Sequence, residues 1–258
     1  MKIFPGERVA IVGASGCGKS TIVGLLQRLW EPTEGGIFIS SSSATDDKSH
    51  VMVNLNEIQT HHLRSKLSLV SQSPQLFLTE SIASNIRYGS NAELIPDEAV
   101  VDAAKAANAH EVVVGGRLKG GYECVVVGGG ANAKEGEGDG HGSLSGGEMQ
   151  RLQIARAIAR IRIPAPDGAE LLILDECTSA LDVENEGKVM DAIRGIVNGE
   201  ENAAKTTLII THKISVMQLC DRIIVLDQGS VNEEGTFDEL IKRRGTFASL
   251  ASGGEFLG

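Results

Sequence analysis

Val9-Ala10-Ile11-Val12-Gly13-Ala14-Ser15-Gly16-Cys17-Gly18-Lys19-Ser20 runs from a short apolar stretch into a glycine-rich loop. The apolar stretch stops at glycine, which reads as a buried strand. Ser20 to Trp30 reads as a helix that ends ahead of Pro32. Gly13 to Ser20 fits the spacing GxxxxGK[ST], in the strand–loop–helix context that gives the pattern its meaning. Its glycines let backbone N–H groups curl round an anionic phosphate, and the helix N-terminus adds about half a positive charge. Gly13, Ala14, Ser15, Gly16, Cys17, Gly18, Lys19 and Ser20 are therefore expected to bind the phosphates of a nucleotide. Lys19 would reach the β- and γ-phosphates, and Ser20 would ligate Mg²⁺. Cys17, close to a helix N-terminus and to Lys19, is a position where a thiol gains reactivity.

Outward from that loop, short apolar runs recur. Leu67–Val70, Leu171–Leu174, Thr207–Ile210 and Arg222–Leu226 read as buried strands, and Ile37–Ile39 with Val51–Val53 as a strand pair. Helical patterns at Val183–Val197 and Ile214–Leu219 separate the later strands. Strands alternating with helices imply an α/β fold with a mostly parallel sheet covered on both faces. A small antiparallel β region and an inserted helical lobe complete it. The expected division is one domain over 1–258. Residues 1–78 and 162–258 form the core, and 79–161 form the lobe. Within the lobe, Pro96 opens a helix expected to run to Ala109, and Ser145 caps one expected to reach Ile161. Ser40–Ser49 reads as a polar loop. Gly128 to Gly142, with seven glycines in fifteen residues, reads as a flexible tether.

Composition narrows the function. The 258 residues suffice for a sizeable core, and a net charge of −10 argues against a nucleic-acid-binding surface. No apolar run reaches the ~18–20 residues that span a bilayer, so a membrane link is expected to run through a partner. Cys17, Cys124, Cys177 and Cys220 form no CxxC pair and suggest reduced thiols.

Three strand ends carry candidate chemistry. Asp175 and Glu176 close the run Leu171-Leu172-Ile173-Leu174. Strand C-termini in such sheets point at the ligand crevice. There Asp175 would hold the Mg²⁺ shell and Glu176 would polarise a water for attack on the γ-phosphate. His212 follows the run Thr207–Ile210 and could contact the γ-phosphate and hold that water. Gln72 follows Leu67–Val70, where its amide could ligate Mg²⁺. Alone, each would be an ordinary loop residue; beside a phosphate loop they form a set.

Leu144-Ser145-Gly146-Gly147-Glu148 adds a second glycine-rich helix start. Its N–H groups and dipole also favour an anion. With Gly13–Thr21, Gln72, Leu171–Glu176, Ser179-Ala180-Leu181-Asp182 and His212, it makes an ordered set of motifs that resembles the ATPase domains of ABC transporters over nearly the whole chain. Val70–Phe77, Ser81–Gly89 and Ala106–Glu111 are similar to the multidrug and peptide exporter branch. The resemblance implies two such domains dimerising head to tail with ATP and Mg²⁺ between them. Gly13–Thr21, Gln72, Asp175, Glu176 and His212 would form one wall of each site. Ser145, Gly146, Gly147 and Glu148 of the partner would form the other, with Asp182 at the seam. It also implies transmembrane domains as partners and a place on the cytoplasmic face of a membrane. Alternatives are a non-transport ABC ATPase and a nucleotide-binding module with impaired hydrolysis. The spacing of about 130 residues between the two glycine-rich starts, without heptads, disfavours the repair-factor type, and Lys19, Glu176 and His212 argue against an inactive module.

The chain departs from the family pattern in three places. The aromatic that stacks on adenine in relatives falls upstream of Met1, so the chain is expected to be part of a longer polypeptide. Glu148 stands where exporters commonly have glutamine. Val125 to Gly130 lacks the acidic residue expected of the segment that senses the transmembrane domains.

Overall fold

The computed structural model describes residues 1–41, 51–90, 92–126, 141–142, 144–178, 183–198 and 205–252. The polar loop expected at Ser40–Ser49 falls mostly outside these residues. So do the tether, apart from His141 and Gly142, and the motif Ser179–Asp182.

β1 (Arg8–Val12) leads through the glycine loop into α1 (Lys19–Leu26). β2 (Phe38–Ser41) and β3 (Val51–Asn54) form the expected antiparallel pair. α2 (Thr60–Ser65) precedes β4 (Leu67–Val70). A helical stretch follows: α3 (Ile82–Arg87), α4 (Asp97–Ala106) and α5 (His110–Val114). The two-residue strands β5 (Val125–Val126) and β6 (His141–Gly142) pair in parallel before α6 (Gly146–Arg162). The chain then returns to the sheet through β7 (Leu171–Asp175), α7 (Val183–Asn198), β8 (Thr206–Ile210), α8 (Ile214–Met217) and β9 (Arg222–Asp227). β10 (Ser230–Gly235), α9 (Phe237–Arg243) and α10 (Thr246–Ser252) close it.

The main sheet has the order β10-β9-β1-β8-β7-β4, and every pairing is parallel except β10 with β9. Alternate residues of β1 enter different cores. Val9 and Ile11 pack with Ile173, Leu208, Ile210, Ile224 and Val23 of α1. Ala10 and Val12 pack with Ile223, Val225, Met217, Leu240 and Phe247. Val9 to Val12 are all inaccessible to solvent, as a parallel strand covered on both faces requires. A third cluster joins α3, α4 and α6 to β4, β7 and α7 without a break.

Three expected helices end early, among them α8, which stops at Met217, two residues short of Leu219. α1 stops at Leu26 because Arg28 takes a left-handed φ of 53°. The turn folds Trp30 back on Gly24, where a Cβ would stand 2.4 Å from the indole ring. α4 stops at Ala106, three residues short of Ala109, because Asn108 takes a φ of 54°. Asparagine tolerates that conformation better than its neighbours would. β10 is Ser-Val-Asn-Glu-Glu-Gly, an edge strand whose mostly exposed polar residues carry no apolar run to announce it.

Candidate active site

Strand register sets the site. Val70 pairs with Leu174, Asp175 with Ile210, and Ile11 with Ile210. Two residues past these positions the four strands release Gln72, Glu176, His212 and Gly13. The three predicted strand ends and the glycine loop thus share the carboxyl edge of the sheet, where open α/β folds bind their ligands.

The loop is shaped for an anion. Gly13, Gly16 and Gly18 have φ of 152°, 79° and 107°, which glycine alone adopts without strain. A Cβ on Gly13 would stand 2.3 Å from the Leu226 carbonyl oxygen, so only hydrogen fits between the loop and β9. A Cβ on Gly16 would meet nothing within 4 Å, so that side is open. Lys19 is buried, and its Nζ donates to the carbonyls of Gly13 at 2.8 Å and Ala14 at 3.1 Å. The Cys17 sulfur lies 4.0 Å from the same nitrogen and is buried. Ala14, Ser15, Ser20 and Thr21 are exposed around the loop, and Gly18 caps α1 from a left-handed conformation.

At the neighbouring strand ends, Glu176 has a φ of 43°, rare for a residue with a side chain and characteristic of functional sites. Its N–H donates to Ile210 O at 3.0 Å, and its Oε1 lies 2.8 Å from His212 Nε2. The contact is short enough for a hydrogen bond between the imidazole and the carboxyl group. Burial, then the Glu176 charge, pushes the Asp175 carboxyl above its ordinary range, with Lys19 opposing. A hard cation beside Asp175 would favour its charged form, and Ser20 adds a hydroxyl from the start of α1. Cys177 beside them is buried, and its thiol is pushed up to about 12 by that burial.

Gln72 is exposed, just past β4. Its segment is tied to α6 by side chains whose positions gave no warning in sequence. Gln150 Nε2 donates to Ser71 O at 3.1 Å, and Gln153 Nε2 to Ser71 Oγ at 2.9 Å. Both glutamines are buried, three residues apart on α6.

Ser145 caps α6 as expected, within a reciprocal capping box: Glu148 N–H donates to Ser145 Oγ and Ser145 N–H to Glu148 Oε2. Ser145 and Gly146 are exposed, and a Cβ on Gly146 would meet nothing within 4 Å. This helix start therefore opens outward, while Gly147 is buried beneath it. Arg117 donates to Glu148 Oε1, a contact 31 residues apart in sequence that spacing could not announce.

Comparison with known proteins identifies the family. A family model described as ABC transporter matches residues 1–179. The chain is 42% identical over 248 residues to an ATP-dependent lipid A-core flippase of Chromohalobacter salexigens, covering 95% of this chain and 36% of that protein. It is 38% identical over 252 residues to ATP-binding cassette sub-family B member 5 of Mus musculus, covering 98% of this chain and 17% of that protein. A solved structure of a bacterial Atm1-family ABC exporter with ATP bound superposes with a TM-score of 0.72 at 32% identity, over 96% of this chain and 37% of that one. The chain thus spans little more than a third, or less, of these relatives. With its phosphate loop, strand-end residues and second glycine-rich helix start, the chain belongs to the ABC transporter family as an ATP-binding cassette of the exporter type.

Proposed function

We propose that this domain binds Mg²⁺-ATP and hydrolyses it as one half of a cassette dimer, powering transport through membrane-spanning domains. The observation that carries the reading is the Glu176–His212 contact, held in strand register beside the Lys19 loop. Backbone N–H groups of Gly13–Thr21 and the Lys19 ammonium bind the phosphates, and Glu176 takes a proton from the attacking water or orients it. His212 holds the Glu176 carboxylate and the water. Ser20, Gln72 and Asp175 would hold Mg²⁺, which neutralises charge on the phosphates when bound. Ser145, Gly146 and Gly147 of a partner cassette close the site.

The domain has a surface suited to a membrane partner. Phe77, Leu78 and Tyr88 are 41–54% exposed, beside the segment that carries Gln72. Such apolar side chains fit contact with transmembrane domains and a location on the cytoplasmic side of a membrane. No helix among the described residues is long and apolar enough to cross a bilayer.

Glu176→Gln tests the chemistry. Turnover is expected to fall at least about 100-fold while ATP binding, measured by calorimetry, stays within a few-fold of the parent. Normal turnover in this variant would remove Glu176 from its role.

A further inference from the structure

Glu148 brings a carboxylate to a helix start that, on the function proposed above, faces the triphosphate of a partner cassette. An uncompensated negative charge there would repel the nucleotide. The structure supplies a compensating charge. Arg117 Nη2 lies 2.5 Å from Glu148 Oε1, while Glu148 Oε2 accepts the Ser145 N–H at 2.8 Å. Both carboxylate oxygens are thus engaged, one in the cap and one in the ion pair. The Glu148 side chain is 15% exposed, so its charge is felt more strongly than one in open water. Burial raises its pKa, but Arg117 and the Ser145 N–H outweigh this and hold it below its ordinary value, so it is ionised at neutral pH.

Arg117 reaches this position from a fixed loop. Gly116 turns the chain after α5 with a φ of 86°, and Leu118, 3% exposed, anchors the next position in the core. Gly115 allows the close approach of the Glu111 carbonyl, 2.5 Å from where its Cβ would be.

We propose that Arg117 is a positioning residue for ATP-driven pairing of the cassettes. It cancels the charge of Glu148 and holds its carboxylate in the Ser145 cap, so an acid at this helix start does not oppose the partner's nucleotide. This inference rests on the dimeric reading. A surface ion pair contributes little to stability, so its effect belongs in nucleotide-dependent association rather than in folding.

The test is a double-mutant cycle in the full chain carrying Glu176→Gln, which is expected to bind ATP without turning it over. Sedimentation velocity gives the ATP concentration at half-dimerisation. Arg117→Ala is expected to raise that concentration about tenfold, and the deficit should shrink as salt is raised from 50 to 500 mM. Made together with Glu148→Gln, Arg117→Ala is expected to change it less than twofold relative to Glu148→Gln alone. Thermal melts of all variants should agree within about 2 °C, which separates the effect from unfolding.

An equal deficit from Arg117→Ala in both backgrounds would overturn the proposal, because Arg117 would then act independently of Glu148. No deficit in either background would overturn it as well. If the Glu176→Gln chain binds ATP yet stays monomeric, the dimeric reading itself fails and this inference fails with it.

Discussion

A methyl group on Gly13 would stand 2.3 Å from Leu226 O and 2.7 Å from the Cys17 sulfur, on a residue whose φ is 152°. Neither neighbour can retreat easily, since one is backbone of β9 and the other is buried. Gly13→Ala should therefore lower stability by about 2 kcal/mol or more and weaken ATP binding at least tenfold, read by thermal melts and calorimetry. Gly16→Ala meets nothing within 4 Å and carries only the strain of its φ. It should fold with a loss of about 1 kcal/mol. The same scale governs acid sensitivity. Arg8 donates Nε and Nη2 to Asp221 at 3.0 and 2.5 Å, tying the start of β1 to the approach of β9. The hydrogen bond from Arg8 holds the Asp221 carboxyl below its ordinary 3.8, against some burial. A carboxylate with a lowered folded pKa favours the folded state above the unfolded pKa. That contribution is lost as pH falls through the lowered value. Urea midpoints should thus drop below about pH 4, and Arg8→Gln should flatten that drop. An unchanged pH profile in the variant would show that this pair is not the sensor.

At the scale of elements, one cation ties α6 to the lobe around it through three hydrogen bonds. Arg156 donates Nε to Asn85 O at 2.7 Å, Nη1 to Gln75 O at 3.1 Å and Nη2 to Asn85 Oδ1 at 3.1 Å. Its guanidinium also sits 5.5 Å from the ring centres of both Phe77 and Tyr88. Burial lowers its pKa to about 10, which leaves it charged at neutral pH. Arg156→Met should cost about 2–4 kcal/mol, since three backbone and side-chain acceptors lose a charged donor. Arg156→Lys should recover little, because an ammonium cannot reach the three acceptors as a planar fork does. Urea unfolding of both variants checks this. The same element shows what could be read in advance. The helix and its cap were legible because Ser145 precedes a 3.6-residue apolar stripe, and β1, β4, β7, β8 and β9 were legible because each is a short, mostly apolar run. β10 was not, because its polar residues have their bonding partner, β9, on one side only. Strand ends pointed to Gln72, Glu176 and His212, since a parallel sheet puts all its carboxyl ends on one edge. Arg117, Gln150 and Gln153 were invisible, because their partners are brought near by loop packing rather than by any period of the chain.

At the scale of the whole molecule, two features face outward that relate to one nucleotide. The phosphate loop is open at Gly16, and the start of α6 is open at Gly146. On the dimeric reading proposed above, a site that uses both draws one from each of two chains, by two-fold symmetry. ATP turnover should then rise with more than the first power of chain concentration in the dilute range, approaching the second power well below the dimerisation midpoint. Complementation makes the point independently. A chain with Lys19→Ala retains its helix start, and a chain with Ser145→Arg retains its phosphate loop. Each alone should be nearly inactive. Mixed in equal amounts, they can form a heterodimer in which one site combines the intact loop of the second with the intact helix start of the first. ATPase activity in the mixture, measured as phosphate release, should therefore exceed the sum of the two chains assayed separately. A mixture no more active than that sum, with heterodimer confirmed by capture through an affinity tag on one of the two chains, would mean that each chain completes its own site or that the two sites fire only together. Linear concentration dependence of the parent would single out the first of these.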